Sequence, residues 1–415
     1  MNKMALRDLE NVLDLREVRV DSYAKKALRI EIHVSLKSMS ARCPVCNLRS
    51  TRKHSEKRIK VRDLSCFGRR VYLSVPRRRF KCRKCAKPFT ERLSFLEFGT
   101  GFTKRYEDYL FDQCRERSFV VVEQQEGISD TQIQKMYAKR LSRESAQNGP
   151  LNQLRVLGID EIAVKKGHRN YVCVLTDIDK KQVIEVLDDR LKDTVKAYLL
   201  ALPVSVQKSV RYVSIDMWEG YYQAVVEALP KRVKVVIDRF HVMKHLNAAL
   251  TKCRRELQRA AESKDARDEL KGLRWVLVKN ECDLNEEEAE KLATLYRICP
   301  ELRTCHRLKE EFREIFDQEQ TRPKAVVRLK RWKKRVRQTG LKSLNRFVDT
   351  FENWEDWILN YFSSGKVTNG VVEGINTKIK LIKRRGYGYR NNGNFKQRIL
   401  VECGIGKEKK SGTQK

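Results

Sequence analysis

The chain has 415 residues and is strongly basic: 89 Lys and Arg oppose 54 Asp and Glu, which leaves a formal net charge of +35. A hydrophobic content of 41% is enough to build packed cores in several domains, so the composition excludes a disordered basic tail. The charge favours nucleic acid as a partner, with binding that weakens as salt rises. The sequence has no apolar run of about 18 residues and no apolar signal-peptide core at its amino terminus, which predicts a soluble intracellular protein.

Four of the twelve cysteines form two CxxC pairs, Cys43-Pro-Val-Cys46 and Cys82-Arg-Lys-Cys85. Each pair can place two thiolates on one side of a tight turn, and two such turns complete a tetrahedral Zn²⁺ site. Strand-like segments at 57–61 and 71–75 lie between the pairs. The pattern predicts a structural zinc ribbon in an N-terminal region spanning residues 1–95, and incidental buried cysteines are the alternative.

A basic segment surrounds these cysteines. From Arg42 to Arg92 the sequence has 18 Lys and Arg against three acids, and it includes the run Arg77-Arg78-Arg79. Such a surface suits DNA phosphates and carries little sequence specificity, whereas a solvated charged face is the alternative.

Residues 96–145 have the pattern of a helix-turn-helix. Helical periodicity over 102–143 is interrupted at Gly127, after which Ser129-Asp-Thr-Gln132 resembles a capping box that starts a new helix. Gln132, Lys135 and Lys139 are expected on its outer face, where they can contact DNA. An ordinary helical hairpin is the alternative.

The next part of the chain predicts a mixed α/β domain, whose first part spans residues 153–245. Its strands and helices follow the order βββαβαβ, which is the order of the ribonuclease H-like fold. The strands are expected at 154–164, 171–176, 182–187, before Asp216 and before Asp238, and the helices at 192–202 and 220–229.

A helical insertion is expected at residues 246–360, because this segment is highly charged and has no comparable strand pattern. The last part of the core, 361–403, contains a helix that would begin near Thr368 or Asn369 and carry Glu373 in its first turns. By helical spacing, the residues that share the Glu373 face are Asn376, Thr377, Lys380 and Arg384. Arg384 and Arg385 are expected to contact DNA, and Lys380 to support the site. A basic tail, 404–415, ends the chain.

Three acids, Asp160, Asp216 and Glu373, form the predicted active site. Carboxylates that converge on one edge of a buried sheet favour bound cations, and two Mg²⁺ or Mn²⁺ ions can catalyse phosphodiester chemistry. Asp160 would bridge the ions, with Asp216 and Glu373 completing one ion's ligands each. A turn or helix cap is the alternative role for any single strand-end aspartate.

Asp238 and His241 form a second candidate pair just past a strand end, with a supporting or DNA-positioning role. Four acids thus compete for three places, and whether Asp216 or Asp238 is the second catalytic acid stays open at this point.

The chain resembles bacterial insertion-sequence transposases of the DDE class, specifically the group called "ISL three". The resemblance is carried by Cys43-Pro-Val-Cys46, Arg79-Phe-Lys-Cys-Arg-Lys-Cys85, Gly158-Ile-Asp-Glu161, Asp238-Arg-Phe-His-Val242 and Val372-Glu-Gly-Ile-Asn376 with Lys380 to Arg385. It implies that Asp160, Asp216 and Glu373 are the DDE triad and that Asp238 and His241 match a supporting Asp-x-x-His motif. The resemblance also implies that the protein recognises terminal inverted repeats and catalyses strand cleavage and strand transfer on double-stranded DNA. It further implies a homodimer or larger assembly located at the bacterial nucleoid.

Two other functions compete with transposition. A sequence-specific DNA-binding regulator with a vestigial ribonuclease H-like domain would also use a zinc ribbon and a helix-turn-helix, and a nuclease of the same fold would cleave without strand transfer. Within the insertion, Trp332, Trp354 and Trp357 are candidates for stacking on a flipped base, although core packing is the stronger expectation.

Overall fold

The computed structural model describes residues 3–97, 99–147, 151–165, 170–260, 267, 270–271, 273–367, 370–389 and 391–404. The chain forms two compact units, Met1–Glu144 with Arg385–Tyr387, and Ser145–Arg384 with Gly388–Lys415. Two features expected from the sequence lie outside the described residues: the helix start at Thr368 or Asn369, and most of the basic tail.

The first unit combines a five-stranded sheet, a small two-stranded sheet and four helices. Its elements are α1 (Lys3–Leu13), β1 (Val18–Lys25), β2 (Arg29–Leu36), β3 (Ala41–Arg42), β4 (Arg49–Ser50), β5 (Lys53–Cys66), β6 (Arg69–Lys81), β7 (Pro88–Thr90), α2 (Lys104–Glu116), α3 (Phe119–Glu126) and α4 (Asp130–Gln147).

The larger sheet has the order β1-β2-β6-β5, with β7 on the other part of β6, and only β2 and β6 are parallel. The predicted strands 57–61 and 71–75 are the central parts of the long β5–β6 hairpin. At its turn, Phe67 and Gly68 have φ values of 49° and 70°, the left-handed conformation that a two-residue hairpin turn requires. Apolar residues that alternate along β6 pack into the buried face of the sheet.

Two helices, α2 and α3, replace the continuous helical segment expected before Gly127, and α4 follows Gly127 as expected. Ser118 caps α3 by accepting a hydrogen bond from the Val121 N–H, which adds a helix boundary. Gly127 ends α3 with a φ of 65°. The predicted capping box is confirmed, because Ser129 Oγ accepts from the Gln132 N–H and Gln132 Oε1 accepts from the Ser129 N–H, both at 3.4 Å.

The second unit contains the mixed sheet and the insertion. Its elements are β8 (Val156–Lys165), β9 (Asn170–Asp177), β10 (Gln182–Leu187), α5 (Lys192–Ala201), α6 (Val204–Ser209), β11 (Tyr212–Ile215), α7 (Glu219–Ala228), β12 (Lys234–Ile237), α8 (Arg239–Ala260), α9 (Arg274–Val278), α10 (Glu286–Ile298), α11 (Pro300–Gln318), α12 (Arg322–Gln338), α13 (Lys342–Leu359), α14 (Gly370–Arg385) and α15 (Asn392–Cys403), with 3₁₀ turns at Glu281–Asp283 and Asn360–Ser363.

The mixed sheet has the strand order β10-β9-β8-β11-β12. Strands β8, β9 and β10 are antiparallel neighbours, whereas β11 pairs parallel to both β8 and β12. Each face of the sheet has its own apolar core. One core includes residues of α14 and α15, and the other includes residues of α5, α7, α8 and the helices that follow.

The regular elements described between β12 and α14 are all helices, as predicted. Helix α8 begins directly after Asp238, so the expected boundary at 245–246 falls inside a helix. Trp332 is fully buried among Phe312 and Phe347, and its indole Nε1 donates to the Leu308 carbonyl at 2.8 Å. Among the described residues, no helix combines the length and apolar character needed to cross a bilayer.

Candidate active site and nucleic-acid interface

Asp160 and Asp216 come together through the register of two parallel strands. Gly158 of β8 pairs with Ser214 of β11, and continuing both strands by two residues brings Asp160 opposite Asp216 on the same face. One ligand atom from each carboxylate and a His241 nitrogen all lie within 4.8 Å of one another. Two carboxylates and an imidazole in this arrangement have the chemistry of a divalent-metal site.

Asp160 is 9% exposed and lies inside β8 rather than at its end. Its Oδ1 accepts from the Glu161 N–H at 2.7 Å, and its Oδ2 accepts from Asn376 Nδ2 at 2.6 Å. Burial raises the pKa of Asp160, and the nearby Asp216 carboxylate raises it further, against the opposing effect of these donors and of His241. A bound cation would relieve this penalty, so the carboxyl group fits a metal ligand.

His241 links Asp216 to helix α8, because its Nδ1 pairs directly with Asp216 Oδ1. Burial lowers the pKa of His241, but the hydrogen bond and the charge of Asp216, with smaller contributions from Asp160 and Asp238, outweigh burial and raise that pKa overall. The imidazole therefore holds the Asp216 carboxylate in place.

Asp238 occupies a different position from Asp216. The pairing of Ile215 with Ile237 puts Asp238 beside Asp216 in the register of β11 and β12. The Asp238 side chain is 2% exposed. Its backbone carbonyl accepts from the His241 and Val242 N–H groups at the start of α8. The group of potential metal ligands in the described residues includes Asp216 but not Asp238.

Glu373 lies in the first turn of α14 and is exposed. It does not join the 4.8 Å group of ligand atoms within the described part of the chain, and instead lines a cavity of about 810 Å³ together with Asp238. Helix α14 approaches β8 closely at Gly158, where an added Cβ would lie 2.9 Å from Val372 Cγ2. The backbone thus brings the Glu373 helix to the strand that carries Asp160.

Asn376 is the residue of this site that was not assigned a role from the sequence. Its spacing of three residues from Glu373 was the available signal, but the pattern alone could not show that its amide reaches Asp160. Lys380 and Arg384 are exposed farther along α14, and Arg385 is half-buried at its end. Lys380 and Arg384 form a basic face on the helix that carries Glu373.

The four cysteines of the two CxxC pairs meet in the first unit, with one Sγ of each within 4.8 Å of the others. Asn47 and Ala86 directly follow the second cysteine of each pair and have φ values of 59° and 55°. Both turns therefore have a left-handed backbone conformation at the same position. Backbone N–H groups of Cys46 and Val45 lower the pKa of Cys43 to about 7, as expected for a thiolate ligand. This sulfur set fits tetrahedral Zn²⁺.

The predicted arginine run has three different environments. Arg79 is exposed and Arg77 is half-buried. Arg78 is 6% exposed, and its Nε and Nη2 donate to the two carboxylate oxygens of Glu91 at 2.8 and 2.6 Å. This buried bidentate pair argues against a phosphate contact by Arg78.

The residues expected on the outer face of α4 also differ in their exposure and partners. Gln132 and Lys135 are exposed, with Gln132 partly used by the Ser129 capping box. Lys139 is half-buried, and its Nζ lies 2.8 Å from Glu97 Oε1. Lys135 is therefore the better placed of the two lysines for contact with a polyanion.

Comparison with known proteins gives matches along most of the chain. The family model of the DDE group "ISL three", described as "Transposase", matches residues 157–399, and a model described as "zinc-finger of transposase IS204/IS1001/IS1096/IS1165" matches residues 40–85. The chain is 30% identical over 360 residues to "Transposase for insertion sequence element IS1001" from Bordetella parapertussis, which covers 85% of this chain and 86% of that protein. It is 28% identical over 261 residues, 57% of each chain, to "Transposase for insertion sequence element IS1557" from two strains of Mycobacterium tuberculosis.

Proposed function

Since this chain belongs to the ISL three family of DDE transposases, we propose that Asp160, Asp216 and Glu373 are its catalytic triad. The family membership makes the protein a DNA transposase with an N-terminal zinc ribbon, a structural Zn²⁺ and a divalent metal in its active site. The observation that carries the proposal is the approach of Asp160, Asp216 and His241 to within 4.8 Å at the edge of the mixed sheet.

The mixed sheet is a ribonuclease H-like core in this proposal. Three antiparallel strands followed by two parallel ones, in the order β10-β9-β8-β11-β12, support it, as does α14 packing on the sheet with an acid in its first turn. The helices between β12 and α14 are then an insertion that separates the second acid from the third.

Mg²⁺ or Mn²⁺ is the metal we propose, with two ions per site; when bound, they would supply activation of an attacking oxygen and stabilisation of a leaving one. Asp160, Asp216 and Glu373 would hold these ions, with Asp160 central because it lies between Asp216 in register and the Glu373 helix. His241 orients Asp216, and Asp238 anchors the start of the helix that carries His241. Lys380 and Arg384 are placed to neutralise phosphates of the substrate strand.

The first unit would bind the ends of the element. We assign α3 and α4 to a helix-turn-helix, with Gln132 and Lys135 toward DNA, and Arg77 and Arg79 to backbone contacts beside the zinc ribbon. Double-stranded DNA at the terminal inverted repeats is the proposed partner, and a homodimer or larger homo-oligomer is the proposed assembly on it.

The test is metal-dependent cleavage of a plasmid that carries the DNA flanking this gene. Asp160→Asn keeps the shape of the side chain but removes its charge, so we expect cleavage to fall by more than about 100-fold while DNA binding is retained. Asp188→Asn, at an exposed aspartate that follows β10, is the matched control and is expected to cleave normally.

Three outcomes would distinguish the possible functions. Breaks at the element ends with joined products support transposition, whereas breaks without joining support a nuclease. Specific binding of the flanks without breaks by the intact protein, in either metal, would support the DNA-binding regulator and contradict the catalytic triad.

A further inference from the structure

A cavity beside the candidate carboxylates has an exposed aromatic ring in its wall. The cavity has a volume of about 810 Å³, and Phe240 lines it together with Asp238 and Glu373. This volume lies within the range of small-ligand sites in proteins, roughly 300–1,000 Å³. A space of this size next to the reacting carboxylates is open to part of the substrate itself.

Phe240 is unusual because it is 49% exposed although it lies in the first turn of α8. Its ring meets the His241 ring edge to face, with centroids 5.5 Å apart. His241 in turn holds Asp216. The ring is therefore fixed close to the ligand cluster while keeping much of its surface free for another flat group.

Two cations of the cavity wall have no ion pair among the described residues, Lys244 and Arg274, and both are exposed. The other two arginines of the wall are neutralised by Asp317, which lies 2.6 Å from Arg239 Nη1 and 2.8 Å from Arg313 Nη1. An aromatic face with two available cations matches a nucleobase that is linked to phosphates.

The three tryptophans considered as stacking candidates from the sequence, Trp332, Trp354 and Trp357, do not offer an equivalent surface. Trp332 is fully buried in the helical core. Trp354 and Trp357 are partly buried and pack against Tyr222, with the Trp357 and Tyr222 ring centroids 4.5 Å apart. Phe240 is the aromatic side chain of the cavity wall, and it is placed beside the carboxylates.

We propose that this cavity binds one unpaired nucleotide of the DNA strand next to the cleavage point, with its base stacked on Phe240 and its phosphate held by Lys244 and Arg274. This subsite deepens the proposed function and rests on it, because it takes the carboxylates to be the cleavage site. Stacking on one aromatic ring is expected to be worth about tenfold or more in binding of that nucleotide.

Photo-crosslinking tests the subsite without requiring cleavage. The probe is a duplex from the flanking DNA with one unpaired 5-iodouracil nucleotide at its end, bound to the full chain in Ca²⁺. We expect a crosslink on the peptide that contains Phe240, a loss of about tenfold or more in Phe240→Ala, and retention in Phe240→Trp. Tyr23→Ala removes an aromatic ring that is 41% exposed and outside the cavity wall, and it should crosslink as the natural chain does.

Cleavage by the same variants separates this inference from the proposed function. On a substrate that the natural chain cuts, Phe240→Ala should slow cleavage by about tenfold. An abasic nucleotide at the crosslinked position should slow cleavage by the natural chain but should not further slow cleavage by Phe240→Ala. An unchanged crosslink in Phe240→Ala, or a crosslink that maps outside the cavity wall, would overturn the subsite. If the protein crosslinks at Phe240 but cuts no flanking DNA, the nucleotide-binding site is supported. The proposal that the carboxylates catalyse cleavage is then contradicted.

Discussion

Asp160 is a carboxylate inside a buried strand, and its two oxygens have different partners. The Glu161 N–H fixes Oδ1 from the same strand, and the Asn376 amide fixes Oδ2 from α14. Asn376 is itself 8% exposed, and its Oδ1 has no hydrogen-bond partner in the described residues. The amide therefore orients Asp160 and couples it to the helix of Glu373, so we regard Asn376 as a positioning residue.

Asn376→Ala should reduce metal-dependent cleavage by about 10- to 100-fold, because partners of metal ligands typically contribute that much to metal affinity or activity. The half-saturating Mn²⁺ concentration should rise, and saturating metal should restore part of the rate. Cleavage measured across a metal titration checks both effects. Thr377→Ala, an exposed neighbour on the same helix, is the control, and an equal loss in both variants would show a helix defect instead.

Glu97 gives a pH dependence to the first unit. Hydrogen bonds from Arg143 and then Lys139 lower the pKa of Glu97 to about 2, against the opposing effect of burial. Since the folded-state pKa lies below the ordinary value of 4.5, the stabilisation is complete above about pH 4.5 and is lost as pH falls toward 2. Glu97→Gln should thus destabilise the protein by about 2 kcal/mol near pH 7.

Thermal unfolding of the full chain checks this prediction. The midpoint of Glu97→Gln should lie below that of the natural chain by a constant amount from pH 7 to pH 5, and the difference should narrow below pH 4.5. A difference that grows on acidification would show that Glu97 is not held as an ionised carboxylate.

At the scale of elements, the contact between β8 and α14 decides where Glu373 lies. Gly158 allows this contact, because a Cβ there would lie 2.9 Å from Val372 Cγ2 and 3.1 Å from Ile178 Cδ1. Val372 is fully buried, so it has little room to move away. Glycine at this position is explained by packing of the helix rather than by an unusual backbone angle.

Gly158→Ala should destabilise the second unit by about 1–3 kcal/mol, the usual effect of overpacking, and should lower cleavage by shifting α14. Thermal unfolding and the cleavage rate measure the two effects. Val372→Ala introduced together with Gly158→Ala should recover part of the cleavage rate, because it removes the nearest clashing atom.

Gly374→Ala is the matched control for this helix. No heavy atom lies within 4 Å of a Cβ at Gly374, and alanine in a helix is up to about 1 kcal/mol more favourable than glycine. Unchanged cleavage is expected. If Gly374→Ala were as damaging as Gly158→Ala, the close approach of α14 to β8 would not be the cause.

For the whole molecule, the charge of +35 predicts DNA binding that weakens steeply with salt. Lys135→Ala should weaken binding to duplexes of any sequence and reduce the slope of log affinity against log salt by about 1. Lys139→Ala should change the slope much less, since its Nζ is paired with Glu97 at 2.8 Å. Binding measured from low to high NaCl checks this, and equal slopes for both variants would place α4 away from the phosphates.

The local elements of this fold were predictable because their signals are local. A short apolar run located β10 over Gln182–Leu187, and the Ser129 capping box located the start of α4. Strand lengths were less predictable: β5 and β6 extend well beyond their apolar centres, because hairpin pairing stabilises polar ends that have no periodic signal. The boundary between α2 and α3 was not predicted for a similar reason, since the only local signal of the α3 start is the Ser118 hydroxyl that caps it.

The sequence by itself determined the chemistry of this protein: paired CxxC motifs, acids at the strands of a buried sheet, and a large excess of cations. The tertiary structure decided which of these groups can act. Arg78 and Lys139 are engaged by Glu91 and Glu97, while Asn376 reaches Asp160 across 216 residues of sequence. Such pairings depend on the packing of distant segments, and the burial and charge they create arise only when the folded chain brings those segments together.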